Sequence, residues 1–470
     1  MKFSITNKGE ITISLLNEKI MSTCEHSQLL VDKKVFTAKS GDVYLNHRDG
    51  VIGILVGNSD VKTLEEIKIN AKKAGNILMK LETKSVRVKL FADDVFTKKE
   101  IALAFFEGLL EATYKFDNYK SKKTPITLEE INFDPEHTGD LKIDDLEEFY
   151  NKWLGITFAR DLVNTPANDM YPETLSKEVQ KLAECGVTVK VLSKNEIEKV
   201  GLKGFLSVAR GSSKEPKFII MEWLKGKNEN IVLVGKGLTY DSGGYSIKGN
   251  DGMKTMKADM GGSASVIGAM KAIALNNLDV NVVGIVATCE NMISGDAYKP
   301  GDIIPSYRGL NIEVDNTDAE GRITLADALA YSEDLYSPKI ILDIATLTGA
   351  CVVSLGNERC GLLGNSEKTD EIYQISEKEG EKSWILPSTE DFKKLNKSNI
   401  ADIKNSGGRY GGASSAGLFV GAFLNPEKST KWIHVDIAGP AYHSTEVSHY
   451  PAGATGFYVK TLYEFVKANK

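Results

Sequence analysis

The sequence predicts an α/β protein in two parts, a smaller N-terminal α/β domain followed by a larger α/β domain with a mostly parallel central sheet flanked by helices. Three observations lead there. The chain has 470 residues, more than one hydrophobic core usually holds. From about residue 188 onward, Val- and Ile-rich runs alternate with helical runs, the pattern of βαβ units. A long helical segment punctuated by prolines separates that series from the first third of the chain. The boundary therefore falls near 150 to 170, with a first domain over 1–150, a helical linker over 151–172 and the larger domain over 173–470.

Each element has a local reason. Met1 to Glu10 breaks its apolar residues with polar ones and reads as a first strand, not a signal peptide. Val51–Val56 and Ser85–Phe91 are strands by their β-branched content. Between them, Val61 to Leu81 has a helical period, with Lys and Glu on the outer face. Lys98 to Tyr114 repeats it, with Ile101, Ala104, Phe105, Leu109 and Leu110 as the apolar stripe. The lysine-rich stretch Asp117 to Pro125 is an exposed loop. Asp144 to Val163 is a long helix, stopped by the prolines in Asn164-Thr-Pro-Ala-Asn168 and at Pro172. Beyond it come strands at Thr188–Leu192, Lys217–Glu222, Ile231–Val234, Val280–Thr288 and Ile340–Ile344, with helices at Ser263–Leu275 and Thr324–Leu335 among them.

Composition is that of an ordinary globular protein, 42% hydrophobic and 26% charged. A net charge of -6 argues against a dedicated nucleic-acid binder. Five scattered cysteines (Cys24, Cys185, Cys289, Cys351, Cys360) without a CxxC pair fit reduced thiols in a cytoplasm. No run of eighteen apolar residues exists, which argues against a membrane span.

Chemistry concentrates in three loops of the larger domain, where an α/β sheet places its ligands beyond the carboxyl ends of its strands. After the strand at 231 comes Gly235-Lys-Gly-Leu-Thr-Tyr-Asp-Ser-Gly-Gly-Tyr-Ser-Ile-Lys-Gly249. It is not a dinucleotide loop, because Tyr240 occupies the third glycine position, and no Gly-Lys-Ser/Thr closes it as a Walker A loop. It reads as a tightly folded loop exposing Lys236, Asp241 and Lys248. Asp259 precedes a small-residue helix and, taken alone, is a helix N-cap or an acid at the helix N-terminus. Asn316-Thr-Asp-Ala-Glu-Gly-Arg-Ile323 sets Asp318 and Glu320 two apart before another helix, which makes them share a side only if the backbone is extended or turning.

Four uncompensated carboxylates would repel one another. Two divalent cations balance them, and a two-metal site needs bridging carboxylates. The six histidines (His26, His47, His137, His434, His443, His449) lie outside these motifs. The site is therefore read as oxygen-rich, with at most a neutral lysine amine as nitrogen ligand.

The octapeptide, together with Val234-Gly-Lys-Gly-Leu-Thr-Tyr-Asp-Ser-Gly-Gly244, resembles the leucyl aminopeptidase family of two-metal exopeptidases. Asp343 to Ala350, Lys404 to Gly412, Asn164 to Asn168 and Gly453 to Gly456 match too. The resemblance covers about residue 155 to the end. It implies that Asp241 and Glu320 bridge two divalent metals (Zn²⁺ or Mn²⁺), that Lys236 and Asp259 complete the tighter site, and that Asp318 completes the more exchangeable one. It further implies that Lys248 polarises the scissile carbonyl and that Arg322 holds a bicarbonate acting as general base. Met256, Asn316, Thr346, Leu347 and Gly349 would shape the substrate pocket.

The implied activity is a cytoplasmic metalloaminopeptidase releasing N-terminal residues, leucine among them, from short peptides with a free N-terminus. The implied assembly is a homohexamer. Departures from the family pattern are Tyr240 for phenylalanine, Gly249 for proline, Ile323 for leucine and Phe457 for arginine; none is an expected metal ligand. A nucleophilic hydrolase is the weaker reading, since no Gly-x-Ser-x-Gly elbow is present. An added DNA-binding role would rest on Lys120-Ser-Lys-Lys123, which is also what a solvated loop looks like.

Overall fold

The computed structural model describes residues 1–23, 25–48, 50–91 and 95–470. They form two compact units, Met1–Trp153 with Glu446–Pro451, and Leu154–Thr445 with Ala452–Lys470. The helix Ile143–Asn164 runs through the division. Cys185, Cys289, Cys351 and Cys360 are free thiols; Cys24 lies outside the described residues.

The first unit holds a six-stranded sheet of β1 (Lys2–Ile5), β2 (Ile11–Leu16), β3 (Val43–Arg48), β4 (Val51–Gly57), β5 (Ser85–Leu90) and β6 (Glu130–Phe133), in the order β1-β6-β5-β2-β4-β3. Only the β3–β4 pairing is antiparallel. Its helices Leu64–Lys80 and Lys98–Thr113 both start with capping boxes, Thr63 with Glu66 and Thr97 with Glu100. The stretch from Asp117 to Pro125 has no helix or strand.

The second unit contains β7 (Thr188–Leu192), β8 (Lys217–Leu224), β9 (Ile231–Asp241), β10 (Asn281–Asn291), β11 (Ile303–Pro305), β12 (Asn311–Glu313), β13 (Ile340–Ala345), β14 (Cys360–Gly364), β15 (Ser383–Ile385), β16 (Ile403–Lys404) and β17 (Lys431–Asp436). Eight of them form the main sheet, ordered β15-β14-β17-β13-β9-β10-β8-β7. The central run β17-β13-β9-β10 is parallel, while β8 pairs antiparallel with both β10 and β7. Helices cover the parallel strands. Val232, Val234 and Leu238 of β9 and Val283, Ile285 and Ala287 of β10 share a core with Leu325, Ala328 and Leu329 of the helix Gly321–Tyr336.

Two expectations need correction. Residues 235–241 are not loop but the second half of β9. Gly235 and Gly237 mark close packing there: a Cβ on Gly235 would lie 2.4 Å from Ser263 Cα, and one on Gly237 would lie 2.9 Å from Ala287 O. Glycine spacing alone reads the same for a loop and for a strand pressed by a helix. Asp259 is also not a helix N-cap. The following helix is Gly261–Leu275, its N-cap is Met260, and no side chain caps it.

Candidate metal centre and active site

Lys236 and Asp241 stand five residues apart on one strand, a separation that ordinarily sends side chains to opposite faces. The strand carries an irregularity that reverses this. Lys236 pairs with Ala287 and Asp241 with Asn291, so six residues of β9 run against five of β10, with the shift between Cys289 and Glu290. The extra residue turns Asp241 to the face that Lys236 occupies, where Asn291, four residues beyond Ala287 on β10, already lies.

Lys236 is buried and lies 2.8 Å from both Asp259 carboxylate oxygens, 3.0 Å from Glu320 Oε1 and 3.1 Å from the Thr346 carbonyl oxygen. It reaches Glu320 across Gly321, where a Cβ would lie 2.6 Å from Lys236 Nζ. Any other residue at 321 would displace the lysine. Thr346 Oγ1 donates to Asp259 at 2.9 Å. Lys248 Nζ lies 2.8 Å from Asp241 Oδ2 and 2.5 Å from Asp318 Oδ1.

Asp241, Asp259 and Glu320 each offer an oxygen within 4.8 Å of the others, and all three are buried. With Asp318 they make four carboxylates against two lysines. Burial and then repulsion from Glu320 raise the Asp241 pKa. Burial raises Asp259 well above the usual carboxylate range despite Lys236. Burial likewise brings Asp318 to about 6, against the pull of Lys248. For Glu320 the effect of burial is outweighed by Lys236 and Lys248, and its pKa is lowered. Burial lowers both lysine pKa values, but the surrounding carboxylates more than reverse it, so both are raised and Lys236 is an ammonium without a bound cation. An uncharged Lys236 ligand belongs only to a metal-loaded state, in which a cation replaces the proton.

This donor set fits hard divalent cations: buried oxygen ligands with a net negative charge that the protein's own lysines do not cancel. Among the described residues the cluster contains no histidine. Arg322, at the start of the helix Gly321–Tyr336, is buried, and burial lowers its pKa to about 10. Its Nη1 donates to the Asn405 carbonyl at 2.7 Å, and its Nε has no hydrogen-bond partner among the described residues. An unpaired buried guanidinium N–H fits a small anion.

The remaining expected residues surround this cluster. Asn316 Oδ1 accepts from the Asp318 backbone N–H at 2.8 Å. The Leu347 backbone N–H donates to Asp436 Oδ1 at 3.1 Å, holding the turn that presents Thr346. Gly349 begins the helix Gly349–Leu355, with open space where a side chain would be. Half-buried Met256 lies in a short 3₁₀ turn just before Asp259 and accepts the Asp259 N–H at 3.3 Å.

Three positioning residues had no role in the sequence reading. Asn291 Nδ2 donates to Asp241 Oδ1 at 2.8 Å and to the Thr317 carbonyl at 3.0 Å, joining two ligand loops. Its signal was its place at the carboxyl end of the strand beside β9. Asn405 Oδ1 accepts from the Asp315 and Asn316 N–H groups, and its amide donates to the Asn316 carbonyl at 2.7 Å. It lies inside the Lys404–Gly412 motif. Asp436, at the end of β17, ties down Leu347 and, at 2.7 Å, the Thr348 hydroxyl; no local motif marks it. The Asn164 and Gly453 motifs also meet, the Ala454 N–H donating to Asn164 Oδ1 at 2.9 Å.

Comparison with known proteins agrees with the geometry. The model of the cytosol aminopeptidase family catalytic domain matches residues 157–463, and that of its N-terminal domain matches residues 15–123. A probable cytosol aminopeptidase of Treponema denticola is 44% identical, covering 98% of each chain. One of Clostridium perfringens is 43% identical, over 93% of this chain and 91% of the relative. Among solved structures, a mutant of tomato leucine aminopeptidase superposes with a TM-score of 0.90 at 30% identity, covering 100% of this chain and 97% of its own. The bottromycin maturation enzyme BotP in complex with Mn gives 0.89 at 28%, covering 98% of this chain and 100% of its own.

Proposed function

The chain belongs to the cytosol aminopeptidase family of metal-dependent peptidases, and from that premise we propose that it removes N-terminal residues, leucine among them, from short peptides with two divalent cations. The observation that carries this reading is the buried trio Asp241, Asp259 and Glu320, within 4.8 Å of one another and left negative by the lysines beside it. Lys236 and Asp259 would serve one cation and Asp318 the other, with Asp241 and Glu320 shared. Zinc and manganese both suit the donors, and the Mn complex of BotP supports manganese. Bound cations supply the chemistry of lowering the pKa of water, polarising the peptide carbonyl and anchoring the free amine.

The chain's own groups do the rest. Lys248, drawn in by Asp241 and Asp318, is placed to stabilise negative charge developing on the carbonyl oxygen. Arg322 would hold bicarbonate through its unpaired Nε, and that ion supplies a proton acceptor when bound. Met256, Asn316, Thr346, Leu347 and Gly349 would form the walls for the substrate's first residues. Asn291, Asn405 and Asp436 hold the loops that carry these groups. A cytoplasmic site of action follows the naming of the relatives, and a homohexamer follows the family resemblance. Among the described residues no helix is long and apolar enough to cross a membrane.

Hydrolysis of leucine amide before and after chelation, with Mn²⁺ or Zn²⁺ added back, tests the proposal. Activity should vanish on chelation and return with about two cations per subunit. Full activity in the stripped protein would overturn it.

A further inference from the structure

Lys248 and Met256, to which the proposed reaction gives the developing oxyanion and the pocket wall, stand at the two ends of an excursion over 249–255 that holds itself poorly. Its one helical turn, Asn250–Met253, buries no residue and starts at Gly249 without a side-chain cap. A lone turn is unstable in water, and Gly249 and Gly252 add backbone freedom. Residues 249–252 and Lys254 are exposed, and the space where a Cβ would stand on either glycine is open.

Among the described residues, a single hydrogen bond ties 249–255 to anything beyond its own flanks: Tyr240 Oη donates to the Met253 carbonyl at 3.3 Å. Tyr240 is a firm post, since it stands in β9 beside Asp241 and pairs with Glu290 of β10. On the near side the Lys248 N–H donates to the Ser242 carbonyl at 3.0 Å, and the next bond out of the segment is the one at Met253. Lys248 Nζ is held by Asp241 and Asp318, yet both are proposed cation ligands. With those carboxylates committed to cations, the position of the ammonium rests on the Lys248 backbone.

We propose that Tyr240 is a positioning residue for the peptidase reaction: its hydroxyl fastens the 249–255 excursion and, through it, the placement of Lys248 and Met256. The assignment rests on the peptidase reading, which gives those two residues their roles. Loosening the excursion affects kcat through Lys248 and KM through Met256. Gly249 offers the converse change. Its φ of -65° is the value proline fixes, its N–H has no acceptor among the described residues, and Lys248 before it is not helical. Gly249→Pro therefore stiffens the same segment without a new contact.

Hydrogen exchange and kinetics on the full chain test this. In Tyr240→Phe, amide exchange over 250–256 should quicken about two- to tenfold while β9 and β10 stay unchanged, in metal-free and Mn²⁺-loaded protein alike. Leucine amide kcat should fall and KM rise, each by about two- to tenfold, at wild-type metal content. Adding Gly249→Pro should slow the exchange and recover most of both losses. A purely structural role for the hydroxyl would lower kcat with KM and local exchange unchanged. That result, or exchange over 250–256 equal to wild type, or no recovery with Gly249→Pro, would overturn the proposal. Absence of hydrolysis in the wild type would count against the peptidase reading alone, because the exchange measurement still decides whether the hydroxyl fastens the segment.

Discussion

In the first unit, Asp134 follows β6 as a fully buried carboxylate; in the second, Asp241 ends β9 in the same condition. Each has further ligand-type groups close by, Glu136 and His137 in one case, Asp259 and Glu320 in the other. Their electrostatics differ. Asp134 accepts from Arg87 Nε at 2.9 Å, has Lys89 Nζ at 4.0 Å and accepts the Glu136 N–H at 3.0 Å. Burial pushes its pKa up, but Arg87, the Glu136 N–H and His137 outweigh that, and the net shift is downward. Asp241 and Asp259 are shifted upward although two lysines touch the cluster. A buried carboxylate is thus no sign of a metal by itself. Its balance against the protein's own cations separates a structural ion pair from a place that needs an added one.

Substitutions on the two sides sharpen that contrast. Glu320→Ala should reduce leucine amide turnover by about 10³-fold or more, since it removes a shared ligand and with it several kcal/mol of charge stabilisation. Metal content per subunit should fall in the same preparation. Lys248→Ala should lower kcat by about 10²–10³-fold while both cations remain. Loss of metal in that variant would mean Lys248 serves the ligands and not the substrate. Asp134→Asn should leave kcat and metal content unchanged and cost about 1–3 kcal/mol in urea unfolding, because it removes the carboxylate charge that Arg87 faces. An effect on metal content would make the two clusters alike and break the comparison.

The smallest effect is in acid. Asp134 has a lowered pKa in the folded protein, so its stabilisation is present above the unfolded carboxyl value of about 3.9 and is lost as pH falls through the lower folded value. Urea unfolding at pH 5 and pH 3 should therefore show a smaller acid loss in Asp134→Asn than in wild type. An equal loss would assign the acid limb to other carboxylates.

Much of the site is readable along the chain because its ligands come in short motifs with fixed neighbours. The Asn316–Ile323 octapeptide and the segments around Lys236, Asp241, Lys248 and Asp259 suffice to propose a two-metal centre. Asp436 was invisible for the opposite reason. It lies about ninety residues from the turn it holds, on a strand with no motif, and only the β13–β17 pairing brings them together. Glu446–Pro451 likewise interrupts the second unit in sequence but packs within the first, where the Ser448 hydroxyl meets the Glu65 carboxylate.

The sequence by itself determined which groups are available: four carboxylates, two lysines and an arginine, in a chain patterned for helices against a largely parallel sheet. Tertiary structure alone decided that they meet. Side chains five apart on a strand diverge unless the backbone takes in an extra residue, and the irregularity near Thr239 is set by pairing with β10, not by local composition. Tertiary structure also decided the charge state, because a carboxylate's pKa depends on how much water it has lost and which cations stand within a few ångströms, and neither is written in its neighbours along the chain.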